Sequence, residues 1–167
     1  MPEAVGTPEA VLAYSGPRPL YDQYEAALSS LGTGLHLGDD PGLSATYEMA
    51  TLLLMWGTLD GFLNGVAILE KAGVSAGAYL PVARTAIGTM AGRLPDYARQ
   101  ADEGAYPSDD GTVGTHLVAM GHVIEESESA GVNAELPRLM RALAERAVAA
   151  GHGSGGYVAL LEQFRAP

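Results

Sequence analysis

The chain has 167 residues, 47% of them hydrophobic, which is enough for one globular domain with a core of its own. Nine Lys and Arg residues stand against 20 Asp and Glu, and a net charge of −11 repels nucleic acid and anionic membrane surfaces. The chain has no cysteine and does not open on an export signal, so we expect a cytoplasmic protein with neither nucleic acid nor a membrane as partner.

Residues 1–38 are predicted to form a strand, a helix and a second strand. The run Ala10–Tyr14 is apolar and ends at a turn, and Arg18–Leu31 carries apolar residues at helical spacing before Gly32. Leu35–Leu37 is a second short strand candidate. One such unit is too small to form a sheet domain by itself.

A long helix is predicted from Pro41 to Lys71, with Asp40 as its N-cap and Gly73 after its end. Its apolar residues surround the helix, so it must be covered on every side. A small domain has difficulty providing that cover alone, and we expect a homodimer through residues 41–71. The most apolar run, Met49–Leu59, has eleven residues and falls short of the roughly 20 that span a bilayer.

The remaining sequence predicts further helices and therefore a mainly α domain over residues 39–167. The first of them is expected to break near residues 92–95. The predicted helices are Gly77–Gln100, Thr115–Ala130, Pro137–Ala150 and Gly156–Phe164.

The segment Gly151–Gly156 has the spacing G-x-G-x-x-G. That pattern cradles a pyrophosphate only between a strand and a helix, and the preceding residues Leu139–Ala150 have a helical pattern. We interpret the segment as a helix C-cap and turn, so the chain offers no dinucleotide site of its own. His116 and His122 lie six positions apart, whereas metal-binding pairs on helices lie three or four apart, and no metal site is predicted.

Glu48 is the main candidate for catalysis, because it lies between Tyr47 and the apolar run Met49–Leu54. A carboxyl in such surroundings loses hydration, which favours its protonated form and suits it to donate a proton near neutral pH. An exposed acid near the start of a helix, favoured there by the helix dipole, is an equally good interpretation. Trp56, eight residues further on, is a pocket aromatic or a core residue.

Several motifs in a fixed order resemble one known family. They are Gly6-Thr7-Pro8-Glu9-Ala10, Gly38-Asp39-Asp40-Pro41-Gly42-Leu43, Tyr47-Glu48-Met49-Ala50, Met55-Trp56-Gly57-Thr58-Leu59-Asp60-Gly61-Phe62, Gly131-Val132-Asn133-Ala134-Glu135-Leu136-Pro137 and Ala150-Gly151-His152-Gly153. This series resembles the imine reductases and reductive aminases, relatives of the β-hydroxyacid dehydrogenases, over almost the whole chain.

The resemblance implies an architecture of two domains. In that family an N-terminal Rossmann domain binds NADPH, a long helix leads into a helical C-terminal domain, and two subunits interlock around a shared cleft. Residues 1–38 would correspond to the end of the Rossmann domain, and residues 39–167 to the helical substrate-binding and dimerisation domain. The phosphate-binding loop falls outside this chain, so we expect no cofactor unless a Rossmann domain supplied in trans holds NADPH.

The resemblance also assigns candidate site residues. The family's acid, often Asp or Tyr, falls on Glu48, and a pocket aromatic falls on Trp56. A position often filled by Trp falls on Ala86, which would enlarge the cavity. His116 falls where several members place Gln or His against the substrate, with Thr115 beside it.

Three functions agree with these residues. The first is a non-redox acid–base catalyst, a cyclase or isomerase of small-molecule biosynthesis that binds an organic substrate at the dimer interface. The second is a fragment or split subunit of an NADPH-dependent imine reductase, without redox activity alone. The third is a non-catalytic ligand-binding or scaffold protein. The departure of Glu48 from the family's usual acid favours the first.

Overall fold

The computed structural model describes residues 5–7 and 9–165 and confirms the predicted mainly α fold. Six α-helices accompany one parallel sheet of two strands in the described residues. The chain divides into two compact units, one ending at Asp60 and the other beginning at Gly61. The boundary therefore lies inside the second helix.

The first unit contains the predicted strand, helix and strand. β1 spans Val11–Tyr14, α1 spans Arg18–Leu28 and β2 spans Thr33–His36. The strands pair in parallel, with Val11 opposite Thr33 and Tyr14 opposite His36. β2 begins two residues before the predicted strand, because the pairing with β1 extends it to Thr33 through Gly34, and glycine has little strand propensity of its own.

The junction between α1 and β2 depends on one glycine. A 3₁₀ turn, Ser29–Leu31, ends the helical segment, and Gly32 follows with a φ of 146°. A Cβ on Gly32 would lie 2.6 Å from the carbonyl oxygen of Ala10. Only glycine therefore allows the chain to enter β2 this close to β1.

The second helix, α2, spans Leu43–Lys71 and ends at the predicted residue. The regular helix begins at Leu43, two residues after the predicted start at Pro41. The Asp40 carboxylate accepts a hydrogen bond from the Gly42 N–H, at 2.8 Å, in the turn that leads into the helix. A bond from a side-chain oxygen to the N–H two residues on is the kind that an N-cap residue makes.

The surface of α2 is open in the single chain. None of its 29 residues, all of which the structure describes, is buried. By length and composition alone the helix could also cross a membrane, because the apolar stretch continues beyond Asp60 and is longer than the eleven-residue run. The exposed fraction of the Leu53 side chain is 71% and that of Trp56 is 55%.

The second unit continues with helices and short turns. In chain order these are α3 (Ala76–Glu103), α4 (Val113–Ser129), α5 (Glu135–Ala147), a π-turn (Val148–His152), a 3₁₀ turn (Tyr157–Leu160) and α6 (Leu161–Arg165). Ser75 caps α3 by accepting a hydrogen bond from the Ala78 N–H, and Thr112 caps α4 through the Thr115 N–H.

The predicted break in α3 near residues 92–95 was wrong, since the helix continues through Pro95. Proline removes one backbone hydrogen bond, which leaves the carbonyl oxygen of Ala91 without its helical donor. Both Pro95 and Ala91 are exposed, so water reaches that oxygen. Buried Gln100 holds the following turns through its side-chain amide, which donates to Asp96.

The core of the second unit is built from small residues where α4 meets α5 and the 3₁₀ turn. The buried cluster consists of Val113, Ala144, Ala147, Ala159 and Leu160. Alanines allow close approach of the backbones, and larger partly buried side chains, among them Leu117 and Tyr157, pack around the cluster. This core fixes the first turn of α4, where two candidate site residues lie.

Candidate substrate-binding site

Glu48 and Trp56 lie on the part of α2 that belongs to the first unit. Eight residues of helix separate them along the axis by about 12 Å. Glu48 is exposed and makes no hydrogen bond or ion pair with any described residue. The described residues therefore do not supply the apolar surroundings predicted for its carboxyl, and the proton-donor hypothesis requires further cover for this surface.

The other candidates lie in the second unit. Ala86 is exposed near the middle of α3, whereas Thr115 and His116 are neighbours in the first turn of α4. The Thr115 hydroxyl forms a 3.0 Å hydrogen bond with the hydroxyl of Thr112. Thr115 thus takes part in the cap of α4 as well as lying beside His116.

His116 packs on an aromatic residue that the sequence analysis did not identify. The ring of Tyr157 lies 4.7 Å from the His116 ring, centroid to centroid, at an interplanar angle of 60°. Burial, and secondarily the nearby Tyr97, raises the pKa of Tyr157, so its phenol is neutral at neutral pH. In the sequence, the one signal that could have identified Tyr157 is its position directly after a glycine-rich run.

The glycine segment, residues 151–156, holds the start of α4. The carbonyl oxygen of Gly155 accepts a hydrogen bond from the Val113 N–H at 2.9 Å, and that of Gly153 accepts from the Gly114 N–H at 3.0 Å. Two first-turn N–H groups, which normally lack helical partners, are thereby satisfied. The first turn of α4 is therefore not open to an anion.

The same geometry explains why the glycine segment is not a phosphate loop. It follows a helix instead of a strand, because its first two residues belong to the π-turn that continues α5, with Gly151 at a φ of 93°. It presents carbonyl oxygens to α4, whereas a pyrophosphate is bound by N–H groups. The interpretation of the segment as a turn is confirmed.

The loop between α3 and α4 is fixed at two points. Asp110 pairs with Arg93 and accepts a 3.5 Å hydrogen bond from the Tyr97 hydroxyl. At the other end, the Tyr106 hydroxyl donates to Glu162, which raises the pKa of Tyr106 and lowers that of Glu162. The loop that leads into α4, the helix on which His116 lies, is therefore constrained.

Gly156 is expected to be essential for this arrangement. It is buried, its N–H donates to the Tyr106 carbonyl oxygen at 3.0 Å, and a Cβ there would lie 2.1 Å from the carbonyl oxygen of Pro107. We expect Gly156→Ala to lower the free energy of unfolding by about 1–3 kcal/mol, the usual cost of overpacking. Urea denaturation measures this, with Gly155→Ala as control, because a Cβ on Gly155 makes only ordinary contacts. Equal destabilisation by the two variants would contradict the prediction.

Comparison with known proteins agrees with the resemblance. The family model described as "NADPH-dependent reductive aminase-like, C-terminal domain" matches residues 40–166. The chain belongs to this family. An NADPH-dependent reductive aminase from Aspergillus oryzae is 33% identical over 169 residues, an alignment that covers 99% of this chain and 57% of the relative. The predicted relationship to imine reductases and reductive aminases is thereby confirmed.

Solved structures of reductive aminase and imine reductase share the fold of this reductive aminase-like chain. An imine reductase from Bacillus cereus BAG3X2 superimposes with a TM-score of 0.91 at 26% identity, covering all of this chain and 58% of that one. A reductive aminase from Aspergillus terreus in complex with NADPH and ethyl levulinate gives a TM-score of 0.91 at 35% identity, covering 98% and 57%. The chain thus spans little more than half the length of these relatives.

Proposed function

We propose that this chain is the helical, substrate-binding half of an NADPH-dependent imine reductase or reductive aminase. The observation that carries the proposal is the match of residues 40–166 to the C-terminal domain of the reductive aminases. In this proposal Glu48 exchanges protons with the substrate, and the substrate-contacting residues are Trp56, Ala86, Thr115 and His116. Ala86 would leave room for a bulky substituent. We place the protein in the cytoplasm, in line with its lack of cysteine.

The residues that the structure describes do not fit a dinucleotide. They contain only a two-stranded sheet, and the glycine segment directs its carbonyl oxygens into α4. In this proposal NADPH, the reductant, is held by a dinucleotide-binding domain that is not part of residues 1–167. The role of this chain is to bind and orient the amine or carbonyl substrate and to exchange protons with it.

We further propose that a second copy of the chain covers α2. Contiguous apolar surface of this extent marks an interaction site, and the exposed large residues continue along the helix through Leu53, Leu54, Trp56, Leu59 and Leu63. Asp60 lies close to the middle of α2, where an acidic residue opposes insertion in a bilayer by about 3 kcal/mol. A symmetric protein partner could instead bind the carboxylate, which favours a dimer over a membrane.

The test of this function is complementation. The isolated chain is expected to show no NADPH binding by calorimetry and no oxidation of NADPH with cyclohexanone and allyl amine, the pair found in one Aspergillus terreus complex. Addition of the separately produced N-terminal domain of the Aspergillus oryzae relative should restore oxidation, followed at the nicotinamide absorbance. Low-micromolar NADPH binding by the chain alone would contradict the proposal. So would the absence of NADPH oxidation after addition of this and any other dinucleotide-binding domain of the family.

A second candidate function is acid–base catalysis without a redox step. Glu48 is the one charged residue between Leu43 and Leu59, so covering this part of α2 would enclose a single carboxyl in an apolar surface. Such a carboxyl could donate a proton to an imine nitrogen, and the resulting carboxylate could then take a proton from the carbon next to the C=N carbon. The net reaction is isomerisation of an imine to an enamine and consumes no reductant.

A further inference from the structure

We infer that Tyr157 is a positioning residue for His116, its ring holding the imidazole in the orientation that meets the substrate. This inference deepens the proposed function and rests on it, because the contact of His116 with substrate is part of that proposal. Tyr157 lies outside the set of residues that the resemblance assigns to the pocket.

The ring contact is the first support. His116 and Tyr157 are 4.7 Å apart between centroids, within the range of stabilising aromatic pairs. His116 makes no side-chain hydrogen bond with any described residue, so its ring is oriented by packing. An imidazole that is not tied by hydrogen bonds keeps both nitrogens available to a substrate.

The fixed position of Tyr157 is the second support. It follows buried Gly156, whose N–H is bonded to the Tyr106 carbonyl oxygen, and it precedes the buried residues Ala159 and Leu160. The carbonyl oxygens of the glycine segment bond α4 only two or three residues before His116. The two rings are thus anchored by one continuous set of backbone contacts, which leaves little freedom between them.

The ring of Tyr157, and not its hydroxyl, performs this role. The hydroxyl makes no hydrogen bond with any residue in the described part of the chain, whereas the ring packs on both His116 and the core cluster. Tyr157→Phe keeps the ring and Tyr157→Met keeps much of the volume without it. The pair of variants therefore separates ring packing from hydroxyl chemistry.

The orientation is measured by NMR of the histidine ring protons. In the unsubstituted chain the His116 ring signals, assigned by their loss in His116→Gln, should be shifted by the Tyr157 ring current relative to those of exposed His122. The shift should persist in Tyr157→Phe and disappear in Tyr157→Met. Tyr24→Leu, at an exposed tyrosine of α1, is the control and should leave it unchanged. Absence of the shift in the unsubstituted chain would overturn the inference whether or not the variants fold.

The complemented enzyme provides the functional readout. A misplaced contact group can cost up to about 10²-fold in rate, and we expect kcat/KM to fall about tenfold or more in Tyr157→Met and to stay within about twofold in Tyr157→Phe. An equal loss of kcat/KM in Tyr157→Phe and Tyr157→Met would overturn the inference, because the hydroxyl of Tyr157 would then act directly. If the complemented enzyme never turns over, the proposed function fails, while the NMR result still decides the positioning of His116.

Discussion

Leu53→Glu in α2 is expected to convert the proposed homodimer to a monomer and to abolish turnover in the complemented enzyme. Leu53 has the largest exposed fraction among the large apolar side chains of α2, at 71%. In a symmetric dimer the substitution places two unpaired carboxylates in an apolar interface. Burying each carboxylate without a partner costs about 2 kcal/mol or more, so the two together weaken association by about 10³-fold.

Light scattering and sedimentation at micromolar concentration measure the dissociation. The matched control is Leu139→Glu, the same change at an exposed leucine of α5, 60% accessible and outside α2 and α3. It should leave both the dimer and the activity intact. A compact monomer in the unsubstituted protein, or a dimer that survives Leu53→Glu, would show that something other than a second copy covers α2.

Local signals were sufficient to predict much of the fold. Gly73 gave the C-terminal end of α2 at Lys71, and the short apolar run Ala10–Tyr14, ended by a turn, gave β1. β2 was misplaced because pairing with a neighbouring strand, and not its own composition, sets its start. The continuity of α3 through Pro95 was missed for a similar reason, since exposure of the Ala91 carbonyl to water is a property of the folded chain.

In the candidate site, too, the sequence predicted the types of residue better than the environment in which they lie. The sequence singled out His116 but not Tyr157, because a contact between residues this far apart in the chain leaves no periodic pattern. It predicted a turn at Gly151–Gly156 but not that its carbonyl oxygens bond α4. It also suggested an apolar enclosure for Glu48, whereas Glu48 is exposed in the described residues. Its enclosure would need cover that these residues do not provide.

Glu48→Gln is expected to remove most proton-transfer activity while preserving the fold and the dimer. Glutamine has nearly the same size and can hydrogen-bond, but it cannot exchange a proton. Its introduction at an exposed position of α2 should leave helix stability almost unchanged. General acid–base assistance is typically worth about 10²–10⁴-fold, which sets the expected loss.

Deuterium exchange separates this chemistry from hydride transfer. A cyclic imine such as 2-methyl-1-pyrroline, incubated with the chain in D₂O without NADPH, exchanges hydrogen at the carbons next to the C=N bond when it passes through its enamine. The rate is followed by NMR in the unsubstituted chain, in Glu48→Gln and in Glu70→Gln. The last is the control, since it changes the other glutamate of α2, at the exposed C-terminal end of the helix.

The pattern of losses distinguishes the two candidate functions. Exchange catalysed by the chain alone and lost only in Glu48→Gln would establish non-redox acid–base catalysis. No exchange by the chain alone, with NADPH oxidation in the complemented enzyme reduced by Glu48→Gln and not by Glu70→Gln, would make Glu48 the acid of a reductase. Full activity of Glu48→Gln in both assays would remove Glu48 from the mechanism. Glu48 would then be a solvated acid near the start of α2, stabilised by the helix dipole. Its exposure in the single chain also permits this interpretation.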